Sequence, residues 1–124
     1  LNVDEIVNQV TEKIYELEPA LLERFGDQGK AKCREDNHHH MKHLQTAYEL
    51  NETKIFTDYA VWLNGILTRH GMNTKHLIDN FEIIRSLLTE DKSEQAESYR
   101  QALSKAIETL KEDDGTEEVE NDSY

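Results

Sequence analysis

Apolar residues recur three and four positions apart along most of the chain, the spacing of one face of an α-helix. Val3, Ile6, Val7, Val10 and Ile14 form one stripe and predict a first helix over about residues 3–17, with Asn2 and Glu5 arranged as a helix start. Pro19 stands where a short helical piece can begin, with Leu21, Leu22 and Phe25 as its apolar set. Gly26 and Gly29 then predict a turn, because glycine reaches backbone angles other residues avoid. A second long helix is expected over about residues 30–50, a third over about 54–69, a fourth over about 74–88 and a fifth over about 93–111.

The third and fourth are the most apolar. Ile55, Phe56, Tyr59, Ala60, Leu63, Ile66 and Leu67 make a wide face on one, and Leu77, Ile78, Phe81, Ile84, Leu87 and Leu88 on the other. Gly71 and the stretch from Thr89 to Ser93 punctuate them. The fifth has a thinner stripe, Tyr99, Leu103, Ala106, Ile107 and Leu110. No alternating run predicts a strand, so the expected class is all-α, with about five helices. Residues 1–111 would form the domain. Residues 112–124, "EDDGTEEVENDSY", hold too little apolar surface to offset their ordering entropy and are expected to be a disordered acidic tail.

The second helix is unusual in what it carries. The stretch "KCREDNHHHMKHL", residues 32–44, holds the only cysteine and four of the six histidines. At about 100° per residue, Cys33, Asp36, His40, Leu44 and Ala47 share one face, while Glu35, His38, His39, Lys42 and Gln45 share the other. A metal site is one reading, because His39 and His43, and Asp36 and His40, are each a turn apart. However, the adjacent His38, His39 and His40 point in three directions, and the two-His-and-Glu arrangement of zinc proteases is absent. Nucleophilic catalysis by Cys33 is a second reading. His40 lies about two turns off along the helix, too far for direct contact, and no glycine-rich oxyanion turn accompanies the thiol. Neither reading points to an enzyme. A semi-polar inner face satisfied by its own neighbours is a third. The aromatics Tyr48, Phe56, Tyr59, Trp62 and Phe81 read as core before they read as a ligand cage.

A large organic cofactor is the remaining reading. The Cys33 thiol can form a thioether, the Asp36 carboxylate can accept pyrrole N–H groups, and His40 can bond or stack against a ring system. The net charge of −12 decides against nucleic acid and anionic membranes as partners. The single cysteine permits no internal disulfide, which favours a cytoplasmic setting. No stretch reads as a signal peptide or a membrane span, and Leu1 in place of Met leaves room for a trimmed or longer parent chain.

Three stretches in order sharpen the cofactor reading: "IVNQVTEKIYELEPALLERFG", "KCREDNHHHMKHLQTAYELNE" and "IFTDYAVWLNGILTRHGM". They resemble the phycobiliproteins, the bilin-carrying globin-fold family, and the related bilin biosynthesis-associated globins, over about residues 5–110. Ile14-Tyr15, Pro19 with Leu21, and Gly26 with Gly29 match the family's helix, Pro-Leu step and turn. Cys33 and Asp36 keep the spacing of the chromophore thiol and the pyrrole-binding Asp, and His43 stands at a Tyr position. The family's Arg before the Asp is Glu35 here, its aromatic pair is His39-His40, and its leading assembly helices have no counterpart.

The resemblance implies a globin-like fold and a bilin held by Cys33, Asp36, His40 and His43. Lys42 would pair with a propionate, and Tyr59 and Trp62 would form a wall. It implies a cytoplasmic pigment carrier or sensor. The alternative is a cofactor-free regulatory module that works through a signalling partner protein. Five helices are expected to leave part of the third and fourth apolar faces uncovered, which favours a homodimer.

Overall fold

Asn2 caps the first helix, its side-chain oxygen accepting the Glu5 N–H at 3.0 Å. The computed structural model then continues as α1 (Val3–Leu17), α2 (Ala20–Glu49), α3 (Lys54–Arg69), α4 (Thr74–Leu87) and α5 (Glu94–Ser123). Residues 1–113 are described in full, and beyond them only the helical backbone of α5 as far as Ser123. No strand occurs among the described residues, so the all-α expectation holds. The tail expected to be disordered lies outside the fully described residues, except for Glu112 and Asp113, which continue α5.

The thin stripe of α5 is the centre of the core. Ala96, Tyr99, Ala102, Leu103, Ala106, Ile107 and Leu110 are all buried. Three of these seven are alanines, which let α3 and α4 approach α5 closely and pack Phe56, Phe81 and Ile84 against it. α1 lies against α2 and also touches α4, with Val7 and Val10 wholly buried. Arg100 ties the α4–α5 turn by donating to the carbonyls of Leu88 at 2.5 Å and Asp91 at 2.7 Å.

Three expectations are corrected. Gly26 alone makes the break, at φ 67° and ψ −161°, and Gly29 lies inside α2. Gly29 is needed there for closeness rather than for backbone freedom, because an added Cβ would sit 2.3 Å from the Phe25 Cβ and 3.4 Å from the Tyr15 hydroxyl. Trp62 is not core: it is 62% exposed, since at its position α3 already has its buried face on Phe56, Tyr59 and Ala60. Leu87 is likewise exposed, turned about 100° round the helix from the buried Leu88 that caps α4.

Candidate functional site

The helices leave a groove of about 460 Å³ between α1, α2, the end of α3 and α4, a size typical of small-molecule pockets. Ile14 and Leu17 come from α1, Leu21 and Phe25 from the part of α2 before the Gly26 break, Leu63, Ile66 and Leu67 from α3, and Leu77 and Ile83 from α4. These side chains make most of the wall apolar. Leu63, Ile66 and Leu67 are only half-buried, so apolar surface of α3 faces the groove.

Cys33, Asp36 and His40 line one side of this groove together, as their shared helical face requires. The Cys33 thiol is half-buried, and burial pushes it above the ordinary thiol range. Asp36 pairs with Lys32 at 2.5 Å, and Lys32 also stands on the groove. Hydrogen bonding to Asp36 raises Lys32 above the ordinary lysine value. His40 is 2% exposed, and burial lowers it to about 3, with His39, His43 and Lys32 adding to the same effect. It is therefore neutral at every physiological pH.

Lys42, His43, Tyr59 and Trp62 do not line the groove. Lys42 points to solvent from the opposite face of α2. His43 stacks on Tyr59, with ring centroids 3.8 Å apart and an interplanar angle of 11°. Tyr59 also meets Trp62 at 6.3 Å and Phe56 at 5.7 Å. These rings form a separate cluster whose link to the groove is the 2.7 Å hydrogen bond between the Tyr59 hydroxyl and His40 Nδ1.

Sequence reasoning missed several groups. Asn37 and Asn80 are both buried and exchange amide hydrogen bonds of 3.0 and 2.7 Å, joining α2 to α4 beneath the groove. Asn37 also donates to the Cys33 carbonyl at 3.0 Å. His70 and His76 stand on the groove as well. His70 Nδ1–H donates to the Ile66 carbonyl at 2.8 Å. His76 Nδ1 accepts the Asn73 N–H at 3.2 Å, which leaves Nε2 protonated 3.5 Å from the Glu18 carboxylate. The apolar set Leu21, Leu22 and Phe25 was the signal for the wall that Leu21 and Phe25 supply, whereas His70, just past the end of α3, and His76, in the first turn of α4, carry no periodic signal.

Among the described residues, no three His, Cys, Asp or Glu side chains converge on a point where a metal ion could sit. No helix among the described residues is long and apolar enough to cross a membrane. No family model, curated protein or solved structure matches the chain.

Proposed function

We propose that the chain is a small tetrapyrrole-binding module, a pigment carrier or sensor with a globin-like, phycobiliprotein-like arrangement of helices, and that a bilin occupies the α1–α4 groove. One observation carries this reading: a thiol, a carboxylate and a neutral imidazole line the same side of a mostly apolar groove of ligand size. An elongated conjugated ligand with an apolar body and several N–H and C=O groups suits such a wall. Asp36 accepts N–H donors of the ligand, Lys32 at the rim takes the propionate role that Lys42 cannot reach, and His40 contacts a ring from the floor. Attachment to Cys33 adds its S–H across an exocyclic carbon–carbon double bond of the bilin. Sulfur bonds one carbon, the proton goes to its neighbour, and no oxidant is consumed. Because burial raises the thiol, little thiolate is present at neutral pH, and attachment accelerates as pH rises.

Visible absorption tests the reading. Protein mixed with phycocyanobilin or biliverdin is expected to become coloured, and Cys33→Ala to lose the colour that survives denaturant while keeping its helical circular dichroism. A helical sample that stays colourless with both bilins and with haem ends the proposal.

A second reading rests on a different observation. Trp62 and Val61 are 62% and 40% exposed on neighbouring positions of α3. Solvent-facing tryptophan is common where proteins meet, so a cofactor-free module docking a signalling partner, or a second copy of itself, through α3 is the alternative.

A further inference from the structure

Building on the groove as a ligand site, we propose that His40 is fixed as a hydrogen-bond donor and that the groove therefore selects ligands bearing a carbonyl-type acceptor. A neutral imidazole has one N–H and one lone pair, and the partner of one nitrogen decides what the other offers. At Nδ1 the partner is the Tyr59 hydroxyl, 2.7 Å away. That hydroxyl has no other hydrogen-bond partner among the described residues, and Tyr59 is buried. If His40 Nδ1 carried the proton, the phenol proton would be left inside the protein with no acceptor, a loss comparable to that of a buried hydrogen bond. The Tyr59 O–H therefore donates to Nδ1, and the imidazole proton lies on Nε2.

Tyr59 does not line the groove and His40 does, so Nε2–H is the group that His40 brings to the groove. It meets no protein acceptor among the described residues, and it is not one of the sealed side-chain atoms there that lack a partner, so it keeps an opening to free space. The neighbouring His70 is arranged oppositely. Its Nδ1–H is spent on the Ile66 carbonyl, so in the neutral ring Nε2 holds a lone pair. His70 is exposed at the groove edge, whereas His40 is buried. Of the two imidazoles, the buried one thus offers a donor and the one at the edge a lone pair. Tyr59 acts as a positioning residue that sets this polarity from behind the imidazole.

Long-range proton–nitrogen correlation spectra of the unliganded full chain read the tautomer directly. His40 is expected to carry its proton on Nε2, unchanged from about pH 5 to 8 because burial holds it neutral. In Tyr59→Phe both tautomers are expected to appear. A wild-type proton on Nδ1 overturns the proposal. Indan-1-one and indane, which share an apolar body and differ by one carbonyl, then probe the groove. Indan-1-one is expected to bind about tenfold more tightly, shift the His40 Nε2–H resonance, and lose that advantage in His40→Phe. Should His40→Phe fail to fold, the double variant His40→Phe/Tyr59→Phe replaces both partners with apolar rings and makes the same comparison. Equal binding of the two probes, binding of neither, or an advantage that survives loss of the imidazole overturns the proposal. A failure with bilins alone removes the tetrapyrrole reading and leaves the carbonyl preference measurable.

Discussion

The α5 side of the molecule and the groove side share the apolar helices α3 and α4, yet they end in different states. Around α5, side chains from α3 and α4 interdigitate with alanines and close completely, so Phe56, Phe81 and Leu103 show no exposed surface. On the groove side, Leu63, Ile66 and Leu67 of the same α3 remain half-buried, and the polar groups of α2 stand among them. Apolar content alone did not decide which side would close. The alanines of α5 did so on one side, and on the other α2 and α4 meet through the paired carboxamides of Asn37 and Asn80 rather than through interdigitated apolar side chains.

Truncation should break this contrast most visibly. Phe81→Ala empties a fully packed position and is expected to cost about 4 kcal/mol, read as a lower denaturant midpoint. Leu67→Ala removes a side chain that faces open groove, and its expected cost is under about 1 kcal/mol. Equal losses at the two positions would mean that the groove is as closed as the core.

Acid sharpens the contrast next, because His40 belongs to both sides. Its folded value of about 3 lies below the unfolded value of 6.5, so between those limits only the unfolded chain binds this proton. Its contribution to stability is complete above pH 6.5 and is lost progressively as pH falls toward 3. Between pH 6.5 and 5 the expected loss is about 2 kcal/mol. Chemical denaturation at several pH values reads this slope, which should be largely absent in His40→Phe.

The smallest effect concerns the outer surface of α3. Trp62→Ala should change stability by less than about 0.5 kcal/mol, as for other exposed positions. If α3 docks a second copy, sedimentation of the wild type should show a dimer that the variant lacks, whereas matching monomers would remove the homodimer.

Much of the architecture was legible because helix periodicity is local. The stripe from Val3 to Ile14 located α1, and the face shared by Cys33, Asp36 and His40 was placed together as the spacing required. What was not legible depended on contacts between helices. Nothing in the period of α2 separates Gly29 from a turn glycine, since its role is the approach of Phe25 and Tyr15. Lys42 and His43 were expected near a ligand through resemblance alone; the angle of Lys42 on the wheel already set it opposite Cys33, whereas His43 shares the direction of Asp36 to within about 20° and is taken by its stacking on Tyr59. Tyr59 fell within the correct apolar stripe, but its hydroxyl meets His40 from outside the groove, a placement only the packing of α2 on α3 defines. Asn37 and Asn80 looked like ordinary polar positions, 43 residues apart, until folding paired them.

That amide pair works like the spine of a book. Sliding α2 by one residue against α4 would strand two carboxamides away from water, and few apolar gains could compensate. The two covers are thus bound at a set opening before any guest arrives. A visitor does not have to prise the helices apart, and little ordering entropy remains to be lost when it settles between them.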